Sequence, residues 1–546
     1  MHRLLVLVLA LALPLCCVTA PAPPAAPAGT SAAGSAGRLR FSVTLAREIA
    51  PAPTAGRLLV FLSDAAEDRV VLGSGIIPGK TWVAAAEIAR IAPGETVELD
   101  PDRLAYPRPF SQARPGSYLL MALLDTDHNY AYHSADGADV RSPVVRRFLD
   151  PMHTKPVELT LTRHAAAPEA LADTDTVKRV ELESPLLSTF WGRPIVMRAG
   201  VVLPAGYDSE PTRRYPAVYN IHGFGTDHSM AWRHGYLNML GLGVGDADHP
   251  MVQVFLDGSC AGGHHEFADS VNNGPWGRAL VEELIPFLEQ RFRLLAQPDA
   301  RFLTGHSSGG WSSLWLQVTH PDFFGGTWST APDPVDFRSF MGVNVTPGST
   351  ENLYRRADGT PRNLVRMGGH GLATFEQFAR HERVLGEYGG QLASFEWVFS
   401  PRGPAGGPLE LFDRQTGELH PEVARAWQRY DIRRLLEDSW ATLGPQLRGK
   451  LHIVTGAADT FHLDEPTALL CDFLRRVGSD ATCELIPGRD HMDLYVAHPP
   501  EYPNGLGARI TQEMYARFSA HQAAAPGASA GQQPSGKRPP IRGRSR

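Results

Sequence analysis

The chain has 546 residues, 43% hydrophobic and 20% charged, with a formal net charge of -6. That length is too great for one hydrophobic core and implies about two or three domains. The mild acidity gives no reason to expect nucleic acid, and 53 glycines with 45 prolines fit a loop-rich fold.

Met1-His2-Arg3 followed by the apolar run Leu4 to Leu15 reads as an export signal over residues 1–20. The run is shorter than the ~20 residues a membrane-crossing helix needs, and no other segment reads as transmembrane. Val18-Thr19-Ala20 resembles a cleavage site, although Pro21 follows it. Cys16 and Cys17 leave a lipid anchor open as an alternative, against which bulky Leu15 stands where a lipobox has a small residue. The expectation is export, to the periplasm or the medium. Residues 21–37, nearly all Pro, Ala, Gly and Ser, read as a linker.

From residue 38 to 165 the pattern becomes short alternating runs, at Leu39–Leu45, Arg57–Leu62, Thr96–Leu99, Ser117–Leu123 and Val157–Thr162. Gly, Pro and Asp turns separate them, which predicts a β-sandwich. Asp125-Thr-Asp-His-Asn129 places oxygen-bearing side chains at alternate positions, as a calcium loop does. The remainder of an EF-hand is missing, so a polar hairpin turn is the preferred reading.

A second domain is predicted over residues 177–520. Apolar strands at Tyr215–Ile221, Met251–Leu256, Arg301–Thr304, Gly326–Thr330, Leu451–Thr455 and Thr482–Ile486 alternate with helical segments, the clearest from Trp276 to Leu294. This order implies α/β architecture with a mostly parallel sheet. Residues 337–450 are too many for a plain connection. They contain helix patterns at Thr374–Tyr388 and Pro421–Glu437 and read as a folded insertion acting as lid or pocket wall. The tail, residues 523–546, is low in complexity and reads as disordered. Cys471 and Cys483 are placed to close a helix-to-strand loop by a disulfide, with two separate buried thiols the equal alternative.

Gly305-His-Ser-Ser-Gly309 matches the G-x-S-x-G pattern, in which a serine sits on a sharp strand-to-helix turn and glycines on either side keep Cβ atoms out of it. Ser307 is the nucleophile by position. Nucleophilic ester cleavage also needs a base, a group orienting it, and donors for the oxyanion. Asp459 follows a strand and a glycine turn, and is preferred as the acid over Asp333. His491, after the last strand, is preferred as the base over His498 and His462. The backbone N–H groups of Phe224, in His222-Gly-Phe-Gly225, and of Ser308 are the predicted oxyanion donors. His222, His306 and Trp276 are candidate pocket residues. His264, His265, Glu266 and Asp269 match no standard metal motif, so no metal is assigned and no cofactor is needed.

With those residues in view, the segment from about Val177 to Ser519 resembles the putative-esterase family of α/β-hydrolases. That family spans esterase D-like, feruloyl, acetylxylan and siderophore esterases and mycolyltransferases. The resemblance rests on Leu203-Pro-Ala-Gly-Tyr207, Tyr215-Pro-Ala-Val218, His222-Gly-Phe-Gly225, Gly305-His-Ser-Ser-Gly-Gly310, Gly456-Ala-Ala-Asp459 and Asp490-His491. It implies a serine carboxylic-ester hydrolase acting through an acyl-enzyme on a small-molecule or carbohydrate-linked ester. The alternatives are acyl transfer to a sugar or lipid alcohol, and an inactive surface protein that binds carbohydrate. The long insertion departs from compact members of the family.

Overall fold

An eight-stranded sheet organises the larger part of the computed structural model, which describes residues 39–64, 81–151, 155–167, 171–233, 235, 238, 248–386 and 388–524. Across the sheet the strands run Val177–Glu183, Val196–Val202, Val252–Leu256, Ala217–Ile221, Arg301–His306, Gly326–Thr330, Leu451–Gly456 and Thr482–Ile486. From Val252–Leu256 onward the neighbours are parallel. Val196–Val202 is antiparallel to both of its neighbours. The first two strands were not anticipated. In Val177–Glu183 four of seven residues are charged and only two are buried, as suits a sheet edge.

Parallel strands need cover on both faces, and alternate side chains supply it here. Tyr219, Ile221 and Leu303 point to a cluster with Leu280, Leu284 and Leu288. Val218, Phe302, Trp328 and Val454 point the other way, onto Leu506, Ile510 and Met514 of the helix Leu506–Ala524. The predicted helix from Trp276 ends at Arg291 and contains a π-helical turn at Leu280–Leu284. Pro286 follows that turn, and its missing N–H removes one regular helical hydrogen bond. The disulfide is present: Cys471 in the helix Asp464–Arg476 is bonded to Cys483 in the last strand, with Cα atoms 5.8 Å apart.

The N-terminal sandwich has a three-stranded sheet of Thr96–Leu99, Phe41–Leu45 and Val157–Leu161, facing a seven-stranded one centred on Thr54–Ser63 and Gly116–Asp125. Phe41, Val43, Leu58, Val60, Leu120 and Ala122 fill the space between them. Thr81–Ile91 is a strand that local propensity conceals, since its Ala-rich sequence favours helix. It is held by long pairing with Thr54–Ser63.

Residues 337–450 are folded and pack against both the large sheet and the sandwich. The helix pattern after Pro421 is broken into Pro421–Trp427 and Ile432–Gln446, because Asp431 caps a new helix start by accepting the Arg434 N–H. The helix Phe375–Leu385 begins with a capping box at Thr374 and Gln377. The far end of that helix lays Val384 and Leu385 against Leu59, Phe61 and Met121, on the outer face of the sandwich. There the buried Arg57 side chain donates to the carbonyls of Val384 at 2.9 Å and Arg383 at 2.6 Å, meeting the negative end of the helix dipole. The export segment, the linker and most of the basic tail lie outside the described residues.

Arg57→Ala strands two buried carbonyls and opens this contact, so it is expected to lower stability by about 2–4 kcal/mol. Urea denaturation followed by tryptophan fluorescence checks this. A loss below about 0.5 kcal/mol, the level of an ordinary surface substitution, would show that the contact is incidental.

Candidate active site

Ser307 sits at the turn from the strand Arg301–His306 into the helix Ser308–Thr319, with φ 61° and ψ -122°. Few non-glycine residues adopt this backbone, and the surroundings enforce it. The Ser307 N–H donates to the Thr330 carbonyl at 3.1 Å, and the Ser307 carbonyl accepts from the Asp333 N–H at 3.1 Å. A Cβ added at Gly309 would lie 1.9 Å from the Ile221 carbonyl oxygen, and one at Gly305 would lie 2.1 Å from that of Gly309. Only hydrogen fits at either position.

His491 and Asp459 meet beyond the ends of the last two strands. His491 Nδ1 lies 2.8 Å from Asp459 Oδ2, and the other oxygen of this fully buried carboxylate accepts N–H bonds from Phe461 at 2.8 Å and Leu463 at 3.2 Å. Burial alone would raise the Asp459 pKa. The His491 charge and these hydrogen bonds instead hold it below the usual carboxylate range. The His491 ring lies between Phe461, at a centroid distance of 4.9 Å, and His306, at 4.4 Å. His306 itself is kept neutral by burial and by its neighbour His491, its pKa pushed down to about 3. His462 and His498 are engaged elsewhere, with Glu465 and with Glu501 and Tyr502.

The turn after the strand Ala217–Ile221 lies against Ser307. A Cβ at Gly223 would be 3.3 Å from Ser307 Cβ and 3.9 Å from its Oγ. His222 braces this turn from behind. Its Nε2 accepts the Gly258 N–H at 2.8 Å, so Nδ1 carries the proton and donates to the Gly223 carbonyl at 2.8 Å. His264 and His265 behave alike: Nδ1 accepts the N–H of Glu266 and of Phe267, and Nε2 donates to the carbonyl of His222 and of Asp257. Burial drives all three imidazoles to the neutral form, His222 and His264 with pKa near 4. Trp276 is buried and stacks on His265 at 3.8 Å. Phe224 packs edge-on against Tyr132 of the sandwich at 4.8 Å, and Tyr132 Oη donates to the Thr226 carbonyl at 2.9 Å.

Asp333, the other candidate acid, is not hydrogen-bonded to His491. It accepts from Ser308 Oγ at 2.6 Å, from Gln391 Nε2 at 3.3 Å and from Ser307 Oγ at 3.4 Å. Burial, then the nearby Glu266 carboxyl, pushes its pKa up to about 7. The insertion thus reaches the site through Gln391. It does so again through Arg366, whose Nε donates to the Asp459 carbonyl at 2.9 Å while its Nη2 pairs with Asp464 at 2.6 Å. Sequence reading passed over Tyr132, Arg366 and Gln391, which carry no local signal. Glu266 and Asp333 had been noticed, but not as parts of one buried polar layer.

A sheet of this order, with a serine turn after one strand and an Asp–His pair after the last two, defines the α/β-hydrolase fold. Residues 194–457 match the family described as "Putative esterase". An esterase of Mycobacterium tuberculosis, found in two strains, is 30% identical over 146 residues, covering 27% of this chain and 31% of that protein. The chain therefore aligns with about a third of the length of the curated relatives it matches. Among solved structures, a ferulic acid esterase is 13% identical, covering 63% of this chain and 99% of that one, with a TM-score of 0.39. An S-formylglutathione hydrolase from Agrobacterium tumefaciens is 17% identical, covering 63% of this chain and 95% of that one, with a TM-score of 0.37.

Because the folded pKa of Asp333 lies above its unfolded value, the native state binds this proton more tightly between about pH 4 and its folded pKa of about 7. Its contribution to stability therefore falls as pH rises through that window. Asp333→Asn removes the effect, so its melting temperature should gain on that of the wild type between pH 5 and pH 8. Parallel melting profiles for the two proteins would show that Asp333 keeps an ordinary pKa.

Proposed function

We propose that the protein is an exported serine carboxylic-ester hydrolase working through an acyl-enzyme. The observation that carries this reading is the Asp459–His491 pair at 2.8 Å, packed through His306 beside the strained Ser307. In the proposed reaction Ser307 Oγ turns from Asp333 toward His491 Nε2, gives up its proton there and attacks the acyl carbon. Asp459 accepts the Nδ1 hydrogen bond and stabilises the imidazolium that forms. The N–H groups of Phe224 and Ser308 receive the oxyanion. Ser308 opens a helix, where N–H groups have no intrahelical acceptor and the dipole favours negative charge. His491 then protonates the leaving alcohol. Water repeats the sequence to release the acid and restore Ser307.

The substrate class proposed is a small-molecule or carbohydrate-linked ester. Export is supported by the basic-apolar start of the chain and by the Cys471–Cys483 disulfide, a bond favoured in oxidising compartments.

Purified protein should label with a fluorophosphonate probe and turn over short p-nitrophenyl esters. Ser307→Ala should abolish labelling and lower kcat by about 10⁵–10⁶-fold, and Asp459→Asn by about 10⁴-fold, with folding verified by circular dichroism. Labelling or turnover that survives Ser307→Ala would sink the assignment. A panel of feruloyl, acetyl-sugar and siderophore esters then ranks substrates, and new ester products on adding glycerol or sugar would redirect the reading to acyl transfer.

A further inference from the structure

The strand Gly116–Asp125 runs into Asp125-Thr-Asp-His-Asn129, a short helix at Tyr130–His133, and a return through Asp136 and Asp139 to the strand Val140–Arg141. The loop folds back so that one carboxylate oxygen from each of Asp125, Asp127 and Asp139 lies within 4.8 Å of the others. We propose that this loop is a binding site for one calcium ion. It lies in the N-terminal sandwich, apart from the catalytic residues.

The argument is one of unsatisfied oxygens. Asp125 Oδ2 accepts the Tyr130 N–H at 3.2 Å, and Asp139 Oδ2 accepts the Asp136 N–H at 2.9 Å. Oδ1 of each is buried and has no hydrogen-bond donor among the described residues. Asp125 is only 1% exposed and Asp139 0%, so water does not make up the deficit from bulk solvent. Asn129 adds a third such atom. Its Nδ2 donates to Asp127 Oδ2 at 3.0 Å and to Asp136 Oδ2 at 2.9 Å, which leaves its buried Oδ1 without a donor. Buried carboxylates are normally paired or bound to metal.

The electrostatics agree. His128 and Arg57 both pair with Glu87, at 2.6 Å and 3.3 Å. A bound cation would offset the repulsion among the converging carboxylates. The donors are all oxygen, from short side chains on an irregular loop, which suits a hard cation of flexible coordination. Magnesium demands near-octahedral geometry and keeps several of its waters, whereas calcium takes 6–8 oxygens in variable arrangements.

The loop also carries Tyr132, whose ring packs on Phe224 and whose hydroxyl donates to the Thr226 carbonyl. Calcium therefore fixes the segment that presses on the turn beside Ser307. Only this last consequence rests on the ester-hydrolase reading.

The test uses the whole chain, stripped with EDTA and dialysed. Titration with calcium chloride by calorimetry should show one ion per chain, and terbium luminescence should appear and be displaced by calcium. At about 100 times the dissociation constant, calcium should raise the melting temperature by about 2–4 °C, and magnesium at the same concentration by much less. Asp139→Asn and Asp127→Asn should each weaken calcium binding at least about tenfold. Asp127 is solvent-exposed, so its variant keeps the test meaningful if Asp139→Asn fails to fold. Absence of calorimetric binding, or binding equally tight in Asp127→Asn, would overturn the site. Because these readouts need no turnover, an inactive enzyme would leave the calcium result standing.

Discussion

The packing of the Gly309 backbone against the Ile221 carbonyl is the constraint on which the rest of the site depends. With 1.9 Å between that oxygen and any added Cβ, the helix after Ser307 is locked against the neighbouring strand at a separation only glycine permits. Ser307 is left at φ 61°, tied on both sides by backbone hydrogen bonds to Thr330 and Asp333. Its side chain stands clear of the sheet, and the Gly223 turn comes within contact distance. The strain is held by the parallel pairing of Ala217–Ile221, Arg301–His306 and Gly326–Thr330, which has no freedom to relax.

Behind this turn the protein assembles imidazoles held in the neutral form. His222, His264 and His265 each spend one nitrogen on a backbone N–H and the other on a carbonyl, which leaves neither nitrogen free to bind a metal. Glu266 is pushed well above the ordinary carboxyl range by burial. The same polar layer includes Asp333. The firmly ionised carboxylate next to His491 is Asp459, which is stabilised by two N–H groups and positioned by Arg366 from the insertion. Negative charge is thereby concentrated where an imidazolium would form.

The parts of this arrangement written in the sequence are those that depend on short-range rules. The serine turn declares itself by its glycines. Asp459 and His491 follow apolar strands at positions where the fold places side chains at the sheet's carboxyl edge, and the sandwich strands alternate visibly. What stayed hidden depends on distant partners. Thr81–Ile91 has a helix-former's composition and becomes a strand only because Thr54–Ser63 lies beside it. The break at Asp431 reads as continuous helix until its carboxylate is seen capping Arg434. Arg366, Gln391 and Tyr132 reach the site from the insertion and the sandwich, across separations no periodicity reveals. The calcium-loop spacing at Asp125 was visible, but its return ligand Asp139 comes from beyond an intervening helix.

The contact of Tyr132 with Phe224 has a bearing on how this chain varies over evolution. A fragment lacking the sandwich would bare the Phe224 ring and the apolar end of the helix Phe375–Leu385, which the sandwich covers. The two domains are thus not interchangeable modules. Substitutions at Tyr132 and at the turn beside Ser307 therefore act on one shared contact between segments nearly a hundred positions apart in the sequence, as the separation of 94 between Tyr132 and Thr226 illustrates.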